Sequence, residues 1–366
     1  RKSNYYTVSY YLGNGSTNAA YQKLTQTVEE GTVVTFAKVP ARTGYVNQGW
    51  SSKKNSEKAT AKAKCTVNKN ITLYAVQKKA VQLTFHRCDG STWQKTTLAK
   101  GSSYSLPGVR DAEGYTFMGW STKPMQSVSP QYEAEEKITV NGNVDLYAVV
   151  FNRTTETDLT EDQLPQVDIY KYKQVIFVGD SRTEFMENVL TGMGESATKN
   201  VKFVCSAGKG LDWFTTTGWA QLYSIVQHDS NSILSKKTAV IFNFGVNDLS
   251  KSADYAEYYN WIAPQLKSKG CELYFMSVNP VNRLMLPNAG RADRSEAAVR
   301  SFNQYMKANL SSAYTYIDMY SYLKSTGYSF ASDHYGTGTV DDGLHYTTRT
   351  YKRIFAKCMD SLRVPA

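Results

Sequence analysis

From Lys173 to the C-terminus, short apolar runs alternate with longer stretches of helical spacing, and this rhythm constrains the fold more than any other feature of the chain. The apolar runs fall at 175–180, 201–205, 239–244, 272–278 and 314–318. The helical stretches fall near 183–192, 212–228, 253–269, 292–310 and 347–362. Parallel neighbours need a crossover of about a dozen residues or more, and an amphipathic helix supplies it while covering one face of the sheet. Five such strands predict an α/β/α three-layer sandwich around a mostly parallel five-stranded sheet. In sheets of this type the working residues gather beyond the carboxyl ends of the strands.

Chemistry-bearing residues stand at those ends. Val175-Ile-Phe-Val178 runs directly into Gly179-Asp180-Ser181, Gly208 follows the second run, Gly245-Val-Asn247-Asp248 follows the third, and Asp342-Gly-Leu-His345 is expected in the loop before the last helical stretch. A serine hydroxyl becomes a nucleophile when a base takes its proton during attack, which assigns Ser181 and His345 to those roles. Asp342, three residues before the histidine, can orient the imidazole and stabilise the imidazolium. Acyl transfer by such a triad requires neither cofactor nor metal. Asp180 and Asp248 are read as braces for nearby backbone donors.

The four blocks in this order resemble the SGNH (GDSL-type) hydrolase family over roughly residues 174 to 360. The resemblance implies an oxyanion hole made of the Ser181 N–H, the N–H of Gly208 and the amide of Asn247. The family's Asn-x-Gly context is absent from Cys205-Ser-Ala-Gly-Lys-Gly210, so Gly208 and Gly210 both stand as candidates for the glycine donor. Arg182 replaces the apolar residue usual after this serine, and a cation in the first turn of a helix opposes the helix dipole. Either a neighbouring carboxylate (Glu184 or Asp248) or an anionic substrate group is expected to offset it. The tyrosines and tryptophans near these loops (Trp213, Trp219, Tyr335, Tyr346) are candidates for stacking on sugar rings, while His334 is read as loop surface and His86 and His228 as structural or surface.

The first 150 residues contain an internal repeat. Thr43-Gly-Tyr-Val-Asn-Gln-Gly-Trp50 recurs as Glu113-Gly-Tyr-Thr-Phe-Met-Gly-Trp120, and Ile71-Thr-Leu-Tyr-Ala-Val76 recurs as Val144-Asp-Leu-Tyr-Ala-Val149. Alternating apolar residues between Gly, Asn and Ser clusters predict short antiparallel strands, and Gly49 and Gly119 are expected to bend the backbone and turn the following Trp inward. These landmarks resemble the Listeria–Bacteroides repeat, a small β-grasp-like module of bacterial surface proteins, which implies a spacer or adhesion role. The predicted organisation is therefore a basic β-rich repeat at 1–79, a second at 80–150, a Thr- and acid-rich linker at 151–173 and the α/β domain at 174–366.

Charge is concentrated at one end. Residues 1–79 carry 13 Lys/Arg against 3 Asp/Glu, while 80–150 carry 6 against 7 and 151–366 carry 23 against 22. A basic module of this kind suits an anionic polymer; no nucleic-acid-binding signature accompanies it, so nucleic acid is not the expected partner. The 5 cysteines are unpaired in spacing, which argues against a disulfide scaffold and against zinc. No apolar run is long enough to span a membrane, and Arg1-Lys-Ser-Asn, without an apolar signal core, reads as the trimmed start of a mature or truncated protein; the resemblance of the repeats implies a secreted or surface-attached bacterial location. The expected activity is hydrolysis of small acyl esters, O-acetyl groups on carbohydrate or a cell-wall polymer first among them. Acyl transfer to a cell-wall polymer, or an adhesin carrying a degenerate domain of this family, are the alternatives.

Overall fold

The computed structural model describes residues 3–169, 171–227, 237–287, 293–332 and 341–362. The chain forms two compact units, one made of Arg1–Arg87, Ser91–Tyr104 and Lys137–Leu146, the other of Cys88–Gly90, Ser105–Glu136 and Tyr147–Ala366.

In the first unit, Tyr5–Tyr11 pairs antiparallel with Gln26–Glu29 and parallel with the start of the long strand Ile71–His86. The two repeats thus meet inside one continuous strand. Tyr45–Ser51 pairs antiparallel with the same strand and its register shifts between Asn47 and Gly49. Gly49 has φ +122, a value glycine tolerates, and the bend seats Trp50 against Tyr10 and Tyr21 in the core, as its sequence position predicts. His86 lies against Asp145 at 2.8 Å.

The second unit is built on a five-stranded sheet. Its order is Val201–Cys205, Tyr172–Gly179, Lys237–Asn243, Cys271–Met276 and Tyr314–Ile317, all neighbours parallel. Helices Ser181–Met193, Trp219–Gln227, Ser252–Ser268, Glu296–Asn309 and Thr348–Ser361 make the crossovers and the flanking layers. Successive strand residues point to opposite faces, so continuous apolar runs bury both. Ile176, Val178 and Phe242 pack with Phe214, Tyr259 and Phe302 on one side. Val175, Phe177 and Ile241 pack with Leu190, Phe355 and Met359 on the other, joined by Met118 and Val149 of the second repeat and by Phe151 just after it. The repeat strand Tyr115–Ser121, antiparallel to Tyr147–Asn152, therefore shares the core of the sheet.

Three local features differ from the sequence reading. The stretch expected near 212–228 is interrupted by a wider π turn at Phe214–Gly218. A further helix, Met319–Thr326, is capped by Asp318; at eight residues it is too short to display a clear periodicity. Asp342 and His345 lie on the strand Asp341–Tyr346, paired antiparallel with Phe330–Ser332, where a loop was expected. That pairing joins residues 9 and 16 apart in the chain and leaves no local signature in so short a run.

The Thr- and acid-rich stretch 151–173 also packs. Leu164 and Val167 join the core, and the buried Glu156 carboxylate accepts Arg353 Nη1 at 2.8 Å and the hydroxyls of Thr350 and Ser329. Glu156→Gln keeps most acceptors but strips the charge opposite a buried guanidinium, so it is expected to cost about 2 kcal/mol in denaturant unfolding. An unchanged unfolding midpoint would show that the network contributes no net stability.

Candidate active site

The carboxyl ends of the first three strands in the sheet order stand level. Gly179 pairs in register with Cys205 on one side and Asn243 on the other, so the segments leaving these strands emerge side by side. At Gly179 a Cβ would lie 2.0 Å from Thr183 Oγ1 and 2.9 Å from the Asn243 carbonyl oxygen. Only glycine lets the chain turn this sharply from strand into helix. Asp180 then caps the helix, its Oδ1 accepting the Arg182 N–H at 3.0 Å. Ser181 thereby begins the helix with its N–H among the first-turn donors that lack intrahelical acceptors.

Ser181 Oγ lies 2.8 Å from His345 Nε2, and His345 Nδ1 lies 2.6 Å from Asp342 Oδ2. The Asp342 Oδ1 atom accepts the N–H groups of Leu344 at 2.8 Å and His345 at 2.7 Å, a local turn that aims the imidazole at the serine. Burial pushes the Asp342 carboxyl up, but the hydrogen bonds and charge of His345 outweigh it and hold the pKa below the ordinary value. Phe185, one helical turn after the serine, meets the imidazole edge-on at 4.7 Å. Beside His345 opens a cleft of about 470 Å³ whose lining includes Phe185, Asn188, Val189, Thr347 and Thr348.

Asn247 follows the third strand. One of its Nδ2 protons goes to the Lys209 carbonyl at 2.8 Å, and its Oδ1 accepts Arg294 Nη2 at 2.9 Å. An amide nitrogen has two protons, and the second has no acceptor among the described residues. Arg294, itself anchored on the Val246 carbonyl at 3.1 Å, fixes which end of the amide faces which way. Gly208 has φ +70 and open space around its missing Cβ. At Gly210 a Cβ would lie 2.3 Å from Asp248 Oδ2. Asp248 braces its surroundings as expected, accepting Leu211 N–H at 2.9 Å and Tyr255 O–H at 2.7 Å.

Arg182 has a different environment from either expected one. Glu184 accepts Ala207 N–H at 2.6 Å and Asp248 is taken as described, so neither neighbour pairs with the guanidinium. Instead Arg182, 3% exposed, donates through Nε to the Leu344 carbonyl at 2.9 Å, through Nη1 to Asn279 at 2.9 Å and through Nη2 to Pro280 at 2.8 Å. Its guanidinium also lies 5.1 Å from the Tyr346 ring centroid. Three carbonyl dipoles offset the cation at the helix start.

Tyr346 is buried with its hydroxyl on the Pro280 carbonyl, and Trp213 lies against Phe244. His228, His334 and Tyr335 lie outside the described residues. Sequence reasoning did not single out Arg294, which sits in no motif, or Phe185, which helical spacing from Ser181 could have indicated. Among the described residues no cluster of His, Cys, Asp and Glu suits a metal, and no helix is long and apolar enough to cross a membrane.

Burial raises the Asp180 carboxyl from the ordinary 3.8 to about 6. Across that window the folded chain holds a proton that the unfolded chain has released, so this group's contribution to stability falls as pH rises. Asp180→Asn keeps an acceptor for Arg182 N–H and removes the titration. The variant is expected to gain about 2 kcal/mol relative to wild type between about pH 4 and pH 7 in unfolding experiments. A difference that does not vary with pH contradicts this.

A parallel sheet with serine, histidine and aspartate hydrogen-bonded in line beyond its carboxyl edge is the architecture of an acyl hydrolase. The chain belongs to the GDSL-like lipase/acylhydrolase family, which residues 175–358 match; residues 6–76 and 82–149 each match the Listeria–Bacteroides repeat domain. Among solved structures, the chain is similar to a Bacteroides fragilis protein assigned as an acylhydrolase (16% identity, 55% of this chain and 91% of that one, TM-score 0.36). It is also similar to the C-terminal catalytic domain of a Streptococcus pneumoniae peptidoglycan O-acetyltransferase (16% identity, 52% and 93%, TM-score 0.32). A curated protein of Evansella cellulosilytica, assigned as a Gly-rich membrane protein, is 26% identical over 146 residues; the match covers 40% of this chain and spans only 16% of that relative.

Proposed function

We propose that this chain is a secreted or surface-attached serine esterase that removes small acyl groups, O-acetyl above all, from carbohydrate. The observation that carries the reading is the unbroken relay from Ser181 through His345 to Asp342, with links of 2.8 and 2.6 Å. Ser181 Oγ attacks the ester carbonyl carbon while His345 Nε2 takes its proton, and Asp342 steadies the imidazolium. The tetrahedral oxyanion is met by the N–H groups of Ser181 and Gly208 and by the remaining Asn247 amide proton. Gly208 is favoured over Gly210 because Gly210 packs on Asp248 while Gly208 faces open space. His345 then returns its proton to the leaving alcohol, and a water activated by the same nitrogen releases the acid from Ser181. The bonds of Arg182 Nε, Nη1 and Nη2 to three carbonyls support a holding role for this side chain over a substrate contact.

The amide and hydroxyl groups of Asn188, Thr347 and Thr348 beside His345 support a small, polar acyl-bearing substrate over a long lipid. In this reading the repeats at 1–79 and 80–150 attach or space the 174–366 domain. An anionic polymer suits the first repeat: from Lys23 to Lys79 every Lys and Arg except Lys78 is exposed, and among the described residues none of them forms an ion pair.

The protein should release acetate from p-nitrophenyl acetate and from acetylated glycans, and a serine-directed phosphonate should label Ser181. Absence of both overturns the reading, and acetyl appearing on a glycan acceptor in place of free acetate identifies acyl transfer. Asn247→Ala is expected to lower kcat about 10²- to 10³-fold with little change in KM, as for loss of one oxyanion donor.

A further inference from the structure

The second repeat does more than space the catalytic sheet. The Asp111 side chain is fully buried, its Oδ2 accepting Arg153 Nη2 at 2.6 Å and its Oδ1 accepting Phe117 N–H at 2.9 Å. That same Oδ1 accepts Asn282 Nδ2 at 2.9 Å, across 171 residues of chain, and the Val109 carbonyl shares the Asn282 amide at 3.0 Å. The backbone N–H of Asn282 then donates at 2.8 Å to the carbonyl of Gly343, the residue between Asp342 and Leu344. Contact here is tight: a Cβ on Gly343 would lie 2.5 Å from both the Asn282 carbonyl oxygen and Met285 Cβ.

The segment after the fourth strand is gripped from both sides. Toward the repeat it is held by Asp111, Val109 and an ion pair of Arg283 with Glu135 at 2.6 Å. Toward the relay it is held by Gly343 and by Arg182, which bonds the Asn279 and Pro280 carbonyls and the Leu344 carbonyl together. The Asp342 carboxylate reaches His345 through a turn two residues long, so a shift at Gly343 moves both ends of that hydrogen bond.

We propose that Asp111 and Asn282 are positioning residues: the second repeat, through Asn282, sets the placement of the Asp342–His345 turn against Ser181. The kinetic part of this inference rests on the esterase reading above. Asn282→Ala cuts both side-chain ties to the repeat while leaving Asp111 with Arg153 and the backbone bond to Gly343 in place. Sites are counted by phosphonate labelling and turnover is expressed per labelled site. Per-site kcat on p-nitrophenyl acetate is expected to fall about 10- to 100-fold with KM within about twofold, since sub-ångström misplacement of a catalytic pair costs rate more than binding. A weaker carboxylate partner stabilises the imidazolium less, so the acid midpoint of kcat moves to lower pH.

The His345 ring, titrated by NMR without substrate, should move in the same direction. This readout does not need turnover: if wild type neither labels nor hydrolyses, the esterase reading fails while the His345 midpoint still decides the brace. Should Asn282→Ala not fold, Asn282→Ser, whose shorter side chain also cuts the ties to the repeat but can still cap the Leu284 N–H that Asn282 Oδ1 accepts, is measured in the same way. Unchanged per-site kcat and an unchanged His345 midpoint, whatever the change in Tm, overturn the proposal.

Discussion

Alanine at Ser181 is expected to lower ester turnover by about 10⁶, to the level left by binding and the oxyanion donors alone. The magnitude follows from the chemistry. Without Oγ no acyl-enzyme forms, and His345 loses the group whose proton it takes, so the relay fails as a unit. Stability should change by less than about 1 kcal/mol, because the substitution removes one small hydroxyl and leaves the Asp180 cap and the Gly179 turn intact. Phosphonate labelling should vanish in parallel. If turnover stays within about tenfold of wild type, another nucleophile carries the reaction and the reading of this site is wrong.

Arg182→Ala is expected to destabilise the catalytic unit by about 3 to 5 kcal/mol, the range for removing one member of a buried charged network. The guanidinium links three carbonyls from two separate segments, and its removal leaves them facing a cavity without donors. In a unit of this size the thermal midpoint should fall by about 10 °C. Arg182→Lys should recover little, since a single ammonium cannot span carbonyls that the planar fork reaches together. Per-site activity should drop equally on neutral and anionic acyl esters. A selective loss on anionic esters would show instead that Arg182 reads the substrate.

Much of the catalytic centre was legible because its signals are local. Gly179-Asp180-Ser181 is a strand end, a cap and a candidate nucleophile in consecutive residues, and Asp342 to His345 closes through a turn within one short segment. The five strands were visible as apolar runs buried on both faces, and the inward tryptophans as Gly-Trp steps with a positive φ at Gly49 and Gly119. What escaped depends on partners distant in sequence. Arg182 was singled out as an anomaly, yet its acceptors are backbone carbonyls 97, 98 and 162 residues away, which carry no side-chain signature. Arg294 orients Asn247 across 47 residues and belongs to no motif. The stretch around Glu156 has a linker's composition, but its carboxylate finds Arg353 only once the last helix has packed.

The sequence by itself determined the layered α/β sheet and the two repeats and singled out Ser181, His345 and Asp342 as candidates for nucleophile, base and orienting carboxylate, since periodicity and short-range spacing are properties of the chain alone. The tertiary structure decided how those groups are held: Arg182 as a tie between loops, Arg294 behind the Asn247 amide, and Asp111 of the second repeat behind the turn of Asp342 and His345. Hydrogen bonds to backbone carbonyls can be satisfied by any residue the fold brings near, so only the folded chain chooses among them.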